Sequence, residues 1–322
     1  FTMQGYVDDV EFYNDTTTAV KTAIGDEKPT NVELGSRFEE TDTRKIYYRM
    51  DSDYETDKWF ELGTLPYAGG RGVFGNGYDN NNTSNIDYVT ISTLGNATDF
   101  GDMSVSRRSY GATSSKTRGL FFGGYASSAS NVIDYITVAT PSNATDFGDI
   151  AEDGTKTAGC TAIGNNTRGI VAGGESGYTD RIAYITIDTL GNTTDFGNLT
   201  AARKNVGSTS NDTRAVFMGG ENAQDTMDYI TMASTGNATD FGDMTQSYSA
   251  GNGLISNGTR GVVGIGGGSS GGNYSNVIEY ITIATTGNST DFGNLTEGRT
   301  QVGQASSETR GLLAGGKYTS GG

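Results

Sequence analysis

The chain has 322 residues, of which 34% are hydrophobic and 49 are glycine, and its formal net charge is −16. A chain of this length can bury about three quarters of its unfolded surface, so we expect a hydrophobic core. The acidic balance argues against nucleic-acid binding, which relies on clustered Lys and Arg. No apolar run approaches the roughly 18 residues needed to cross a membrane, so no membrane insertion is expected. The single cysteine, Cys160, excludes an internal disulfide framework.

Residues 1–44 match nothing later in the sequence. Val7–Phe12 is a candidate strand, and Gly25–Pro29 has the composition of a turn. We predict that residues 1–44 are an N-terminal attachment segment and that residues 45–322 form a repeat domain.

The rest of the chain repeats one pattern every 45 to 51 residues. An Asp-Phe-Gly triplet occurs five times, and a Tyr lies 12 positions before each of its Phe residues. The Tyr–Phe pairs are Tyr88–Phe100, Tyr135–Phe147, Tyr184–Phe196, Tyr229–Phe241 and Tyr280–Phe292. A fixed period of this length indicates a repeat architecture, and the constant spacing predicts a fixed two-stranded hairpin.

Each repeat reads as four short strands separated by Gly, Asn and Ser clusters. In one repeat the strands are Arg108–Ser114, Arg118–Gly124, Ile133–Val138 and a fourth through Asp146 and Phe147. Strand three is apolar on both alternating faces, which is typical of a sheet covered on both sides. Four strands in about 45–50 residues favour the blade of an all-β propeller, with a solenoid of short strands as the alternative.

The repeat resembles the kelch repeat over about residues 45–322. Gly-Gly ends strand two, a Tyr sits in strand three, an aromatic follows in strand four, and Arg107, Arg203 or Arg299 precedes the next strand one. The sequence departs from kelch in having Phe where that family usually has Trp. The resemblance implies a β-propeller and says little about function, because propellers host many activities.

The two ends of the repeat domain suggest how the ring closes. Lys45–Arg49 and Lys58–Leu62 look like strands three and four, with Trp59 in the aromatic position, 12 residues after Tyr47. Gln301–Ser306 and Arg310–Gly316 look like strands one and two of the same blade. Because closure removes bare strand edges, we predict six four-stranded blades, the last joining both termini. A five-bladed ring with spare ends is the alternative.

Two charged positions recur in phase with the repeat. The strand-two arginines are Arg71, Arg118, Arg168, Arg214, Arg260 and Arg310, and the aspartates are Asp99, Asp146, Asp195, Asp240 and Asp291. We predict a structural role for both sets. Each guanidinium is expected to bind a repeat Asp or a strand-end carbonyl, because its fork geometry suits such acceptors. Calcium binding is the weaker alternative for the aspartates, since no Asp-x-Asp-x-Asp-Gly loop is present.

Asn-x-Ser/Thr sequences also recur once per repeat. They begin at Asn96, Asn143, Asn192, Asn237 and Asn288. As glycosylation acceptors they would imply a secreted eukaryotic protein. We favour turn chemistry instead, because Asn tolerates turn conformations and every blade needs the same turn.

Nothing in the sequence favours catalysis. There is no histidine, which removes the commonest general base and metal ligand, and the acidic residues are repetitive rather than paired. We therefore expect a protein that is not an enzyme and that uses no cofactor and no metal.

The loop from strand two to strand three differs in every repeat, whereas the turn from strand three to strand four hardly changes. The variable loops carry Tyr78, Tyr125, Tyr178 and Tyr274 among Asn, Ser and Gly. Tyr beside small polar residues is typical of binding loops on a rigid scaffold. We therefore interpret these four Tyr as candidate ligand-binding residues, against the plainer alternative of solvated loops.

A second resemblance bears on function. Leu34-Gly-Ser-Arg-Phe38 and Thr41-Asp-Thr-Arg-Lys-Ile-Tyr47 resemble a segment of tailed-bacteriophage virion proteins. It implies a tail-fibre or capsid-appendage protein of the virion, attached to other virion proteins through residues 1–44. The propeller would then bind a host-surface glycan or envelope protein. The alternatives are a secreted or cell-surface bacterial adhesin and an intracellular kelch adaptor, and homo-oligomerisation stays open.

Overall fold

A computed structural model describes most of the repeat domain and part of the N-terminal region. The described residues are 10–13, 19–23, 37–40, 45–52, 55–64, 70–75, 78–79, 81–91, 94–150, 157–174, 177–221, 225–247, 253–264, 275–300, 303–306, 311–314 and 317–318. These segments contain strands, turns and loops but no helix, and so no helix that could span a membrane. The chain divides into two compact units, Phe1–Tyr67 and Ala68–Gly322. The boundary between the units follows Tyr67, whereas the repeat domain was predicted to begin at residue 45.

The first unit contains one antiparallel sheet. Its strands are β1 (Val10–Tyr13), β2 (Ala19–Ala23), β3 (Arg37–Glu40), β4 (Lys45–Ser52) and β5 (Glu55–Thr64). Their order in the sheet is β2-β1-β3-β4-β5. The long pair β4–β5 is a hairpin, and β4 pairs on its other side with β3.

The second unit contains five described sheets of one recurring kind, which we call blades 1 to 5. Blade 1 has the strands β6 (Arg71–Gly75), β9 (Asn85–Thr90) and β10 (Thr98–Asp102), with the short strands β7 (Tyr78–Asp79) and β8 (Asn81–Asn82) between β6 and β9. Blade 2 has β11 (Gly111–Ser114), β12 (Arg118–Phe122), β13 (Val132–Thr137) and β14 (Thr145–Asp149). Blade 3 has β15 (Thr161–Gly164), β16 (Arg168–Ala172), β17 (Arg181–Thr186) and β18 (Thr194–Asn198).

The remaining strands continue the same order. Blade 4 has β19 (Gly207–Ser210), β20 (Arg214–Met218), β21 (Thr226–Thr231) and β22 (Thr239–Asp243). Blade 5 has β23 (Gly253–Ser256), β24 (Arg260–Gly264), β25 (Val277–Thr282) and β26 (Thr290–Asn294). Four short strands follow, namely β27 (Arg299–Thr300), β28 (Gly303–Ser306), β29 (Gly311–Ala314) and β30 (Lys317–Tyr318), paired as β27–β30 and β28–β29.

The blades form a β-propeller arrangement, which confirms the predicted all-β propeller at the level of architecture. The first strands β11, β15, β19, β23 and β28 contact one another in that order, and β28 also contacts β6 of blade 1. Serine hydroxyls join neighbouring first strands, since Ser256 donates to the Ser210 carbonyl and Ser306 donates to the Ser256 carbonyl, both at 2.9 Å.

The prediction of six four-stranded blades closed by both termini is wrong, because the described residues of the second unit form five blades and the hairpin β28–β29. The hairpin expected to complete a sixth blade, β4–β5, belongs to the sheet of the first unit. The edge of β4 that would pair with a strand two is already bonded to β3, which lies only four residues earlier in the chain. Such local pairing closes a far shorter loop than pairing with the C-terminal strands would.

The register of β4–β5 also corrects the role predicted for Trp59. In blade 2, Ile133 pairs with Gly148 and Asp134 pairs with Asp146, so Phe147 is the extra residue of a bulge. In the first unit, Ile46 pairs with Gly63 and Tyr47 pairs with Glu61, so Leu62 is the residue at the bulge and Trp59 pairs with Arg49. The spacing of 12 between Tyr47 and Trp59 therefore does not reproduce the blade register.

The hydrophobic core of the second unit lies between neighbouring blades. Phe147 and Leu120 of blade 2 pack on Ile185 and Ile187 of blade 3, while Ile136 on the other side of blade 2 packs on blade 1. Both faces of strand three are therefore covered, as its apolar pattern predicts. Within each blade the predicted Tyr–Phe pair meets edge to face, with ring centroids 5.8 to 6.1 Å apart.

Four strand-two arginines connect their blade to the next one. Arg168 lies with its guanidinium 4.7 Å from the ring centroid of Tyr184 and donates to the carbonyl of Met232 in blade 4 at 2.6 Å. Arg71, Arg118 and Arg214 make the same two contacts, donating to the carbonyls of Val138, Ile187 and Ile283. Strand-end carbonyls, and not the repeat aspartates, are thus the acceptors, and Arg310 lies outside the described residues.

The recurring Asn turns form a second connection between blades. The side-chain oxygen of Asn192 in blade 3 accepts from the amide of Asp149 in blade 2 at 3.0 Å. Asn143, Asn237 and Asn288 accept in the same way from Asp102, Asn198 and Asp243. The amide of Gly191 also donates to the Phe147 carbonyl. The turn chemistry predicted for these Asn residues therefore extends from one blade to its neighbour.

Candidate functional site

One side of the blades carries the described loops that run from strand two to strand three and from strand four to the next strand one. We call it the variable face, and its described loops include 103–110, 123–131, 177–180 and 199–206. A Gly-Gly pair directs the chain onto this face, as at Gly123 (φ 62°) and Gly124 (φ 102°), where left-handed backbone suits glycine. Binding residues concentrate on such loops when a rigid scaffold holds them.

A first cluster on the variable face joins blade 1 to blade 2. The guanidinium of Arg108 lies 4.7 Å from the ring centroid of Tyr125, and its NH1 donates to the side-chain oxygen of Asn82 at 2.9 Å. The amide of the Asn82 side chain donates to the carbonyls of Tyr125 and Ala126 at 3.1 and 2.7 Å. The Tyr125 ring is therefore fixed by a cation on its face and by a loop of the preceding blade.

A second cluster joins blade 3 to blade 4. The Tyr178 hydroxyl donates to Glu221 Oε2 at 3.1 Å, and Lys204 Nζ lies 5.4 Å from the Tyr178 ring centroid and 3.4 Å from the same carboxylate oxygen. The Asn205 side chain donates to Glu221 Oε1 at 2.9 Å. Tyr178 is 43% exposed, so this cluster presents an aromatic ring, a cation and a carboxylate together to solvent.

The two clusters use equivalent positions of the repeat. The backbone of Arg108 forms an isolated β-bridge with Tyr125, and that of Lys204 forms one with Glu221. Tyr125 and Glu221 each directly follow the Gly-Gly pair of their blade. The next residues, Ser109 and Asn205, both have positive φ, at 55° and 54°. A non-glycine residue in this conformation is uncommon, and its recurrence in two blades shows that the surrounding contacts determine it.

A buried ion pair anchors the basic residue of each cluster. Arg107, the neighbour of Arg108, is fully buried and its NH2 lies 3.0 Å from Asp134 Oδ2. Arg203, the neighbour of Lys204, pairs in the same way with Asp228. Burial lowers the pKa of both arginines below its usual value, and the facing carboxylates counteract part of that shift. Both arginines also donate to backbone carbonyls. The loop is therefore held in place directly before Arg108 in blade 2 and directly before Lys204 in blade 4.

Blade 3 lacks this ion pair. Ala183 occupies the position of Asp134, since each pairs with the equivalent residue of strand two. A cavity of about 20 Å³ lies there, lined in part by Val171, Arg181 and Ala183. A space of this size has room for roughly one water and not for an organic ligand.

The structure separates the four Tyr residues predicted to bind a ligand. Tyr125 and Tyr178 lie in different clusters on the variable face. Tyr78 lies on β7, but its side chain is outside the described residues, and Tyr274 is outside them altogether. Four further members of the clusters were not predicted from the sequence, namely Asn82, Arg108, Lys204 and Glu221. A second basic residue directly follows both Arg107 and Arg203 in the sequence, and this recurrence could have indicated Arg108 and Lys204.

The five repeat aspartates are exposed to solvent. Asp291 accepts a hydrogen bond from the amide of Gly293 at 3.1 Å, which is a local turn contact. In the part of the chain that the structure describes, no group of three or more His, Cys, Asp or Glu side chains is placed to hold a metal ion. Cys160 is buried, donates towards the Phe122 carbonyl, and has its pKa raised by burial to about 11.

Comparison of the sequence with protein-family models found no match, and comparison with curated proteins found none either.

Proposed function

We propose that this chain is a non-enzymatic structural and adhesion protein of a tailed-bacteriophage virion, a tail fibre or capsid appendage that presents its propeller for binding to a host surface. The observation that carries the proposal is the pair of equivalent clusters on the variable face. Each cluster spans two blades, and each combines an aromatic ring with a cation and an amide or carboxylate.

The chemistry of these clusters suits a polar macromolecular ligand. A Tyr ring offers a flat apolar surface, while Asn, Lys and Glu beside it offer adaptable hydrogen bonds. Tyr178, with its hydroxyl on Glu221 and Lys204 beside its ring, is the most accessible described member. A host glycan or an envelope protein fits this mixture better than a small apolar molecule, which would need an enclosed pocket.

The kelch-like character of the repeat and the attachment role of residues 1–44 belong to the same proposal. The resemblance of residues 31–63 to virion proteins supports docking of the N-terminal region onto other virion proteins. Detection of the chain in purified phage particles by mass spectrometry tests this assignment. Its presence on bacterial cells and not in particles would favour the bacterial adhesin instead.

Substitution on the variable face tests the binding role. Tyr178→Ala combined with Tyr125→Ala is expected to reduce adsorption to host cells by about tenfold or more, because aromatic anchors dominate such interfaces. Leu190→Ser is the matched control, since Leu190 is 54% exposed and lies in a turn at the opposite side of the blades. Unchanged adsorption by a double variant with native circular dichroism would contradict the proposed face.

A further inference from the structure

The second cluster on the variable face holds its aromatic ring on a strained backbone. Tyr178 has φ 58°, a left-handed conformation that is uncommon for a bulky residue and costs free energy in the folded chain. Strain of this kind persists only where the surrounding contacts determine it, and it concentrates at sites that bind ligands. The strain at Tyr178 therefore motivates a specific role for its ring.

Polar contacts fix this ring in place before any ligand binds. The Tyr178 hydroxyl donates to Glu221 Oε2 at 3.1 Å, and the Lys204 ammonium lies over the ring at 5.4 Å from its centroid. Glu221 is held in turn by the Asn205 side chain, which donates to Oε1 at 2.9 Å. The Tyr178 side chain is nevertheless exposed. A fixed and accessible aromatic surface loses little conformational freedom on binding, so it suits the anchor of a ligand.

The charges of the cluster balance one another. Lys204 Nζ lies 3.4 Å from Glu221 Oε2, and both side chains are partly exposed. An anionic ligand would meet the Glu221 carboxylate and a net charge of −16 on the chain, whereas a cationic ligand would meet the Lys204 ammonium. A neutral ligand that forms many hydrogen bonds meets neither repulsion.

A pyranose sugar has the shape and the polar groups that this cluster can bind. One face of the sugar ring presents aliphatic C–H groups, which can stack on the flat apolar ring of Tyr178. Its hydroxyl groups can donate to the carboxylate of Glu221 and accept from the ammonium of Lys204. A purely aliphatic ligand would instead remove water from both charged groups without replacing its hydrogen bonds.

We propose that Tyr178, Lys204 and Glu221 form a binding site for a neutral sugar residue of a surface glycan. Tyr178 is the stacking surface, Glu221 accepts from the sugar hydroxyls, and Lys204 donates to them. This inference rests on the proposed function, since it names the ligand class of the same face. It goes further by excluding uronic acids and free amino sugars as the preferred ligands.

Binding of the purified full chain to immobilised oligosaccharides tests the ligand class. The array carries chains of glucose, galactose and mannose and of their N-acetylated amino sugars, each with the matching uronic acid and free amino sugar. We expect binding to at least one neutral member and weaker binding to its two charged counterparts. Binding to no neutral member, or a preference for a charged one, would overturn the proposal.

The same assay separates this inference from the proposed function. Sugar binding by a chain that is absent from phage particles would remove the virion assignment and leave the sugar site standing. Adsorption of particles through the variable face without binding to any neutral sugar would overturn the sugar site alone.

Tyr178→Gly assigns the binding to this cluster. The substitution removes the ring, and glycine adopts φ 58° without strain, so the melting temperature is not expected to fall. Binding to the neutral sugar should weaken by about tenfold or more, because the aromatic anchor is lost. Leu190→Ser, in a turn on the opposite side of the blades, should leave binding unchanged. Equal binding by the Tyr178→Gly variant and the unaltered chain would overturn the site.

Two reciprocal substitutions test the balance of charges. Glu221→Gln leaves the positive charge of Lys204 uncompensated within the cluster, so the preference should shift towards the uronic acid. Lys204→Gln leaves the carboxylate of Glu221, so the preference should shift towards the free amino sugar. We expect each ratio of binding to change by about twofold to fivefold, since both charges are partly exposed. No change in either ratio would show that these charges do not face the sugar, and the assigned roles would be wrong.

Discussion

At the scale of single residues, the strand-two arginine combines an aromatic contact within its blade with a hydrogen bond to the next blade. Arg168→Ala is expected to lower the free energy of unfolding by about 1–3 kcal/mol, because the Met232 carbonyl loses its charged donor in a partly buried site. Chemical denaturation monitored by circular dichroism measures the change. Arg260→Ala is the matched control, since it removes the same contact with a Tyr and, among the described residues, no hydrogen bond to another blade. Equal losses in the two variants would show that the hydrogen bond contributes nothing.

The arginines also show how far the sequence alone leads at this scale. Their phase in the repeat predicted a structural role, because six copies at one position of a strand indicate one environment. The sequence could not decide whether the guanidinium donates to a repeat aspartate such as Asp146 or to a backbone carbonyl. That choice depends on which atoms of the next blade lie beside the arginine. The basic residues Arg108 and Lys204 were missed for the same reason, as each contacts a loop of a neighbouring blade.

At the scale of the strand, the Asp-Phe-Gly triplet places its glycine where two blades meet. Gly148 has φ 146°, and a Cβ built there would lie 2.4 Å from the Gly191 carbonyl oxygen of blade 3. Gly293 has φ 141° and nothing within 4 Å of the same position. Gly293→Ala is therefore expected to cost about 1 kcal/mol of backbone strain, and Gly148→Ala about 1–3 kcal/mol more, because the turn must move. Urea unfolding midpoints measure both, and equal costs would argue against the contact between blades.

The hairpin of strands three and four was predictable because its pairing is local. The constant spacing between Tyr135 and Phe147, and between their equivalents, corresponds to one register with one bulge in all five blades. The same spacing does not carry over to Tyr47 and Trp59, where longer strands joined by a shorter connection place the bulge at Leu62. A constant spacing between two aromatic residues indicates a hairpin, but it does not predict the position of the bulge.

At the scale of the whole molecule, closure was the part that the sequence could not decide. Pairing of Lys45–Ser52 with the C-terminal strands would join segments roughly 250 residues apart, whereas β3 competes for the same edge from four residues away. No local pattern records the outcome of that competition. The described residues form five blades, and Phe292 of blade 5 is 55% exposed where its equivalents are buried, which predicts an uneven distribution of stability among the blades.

Hydrogen exchange of two strands with identical sequences measures that unevenness. Thr194–Asn198 and Thr290–Asn294 both read Thr-Asp-Phe-Gly-Asn, so neighbouring residues affect their intrinsic exchange rates nearly equally. In blade 3 the Asn198 amide donates to Asn237 of blade 4 and Phe196 is buried, whereas Phe292 in blade 5 is 55% exposed. We expect amide protection to be about tenfold or more lower in 290–294, because the loss of one such bond and of ring burial removes more than about 1 kcal/mol of local stability. Equal protection in the two strands would mean that contact with the next blade does not limit local opening.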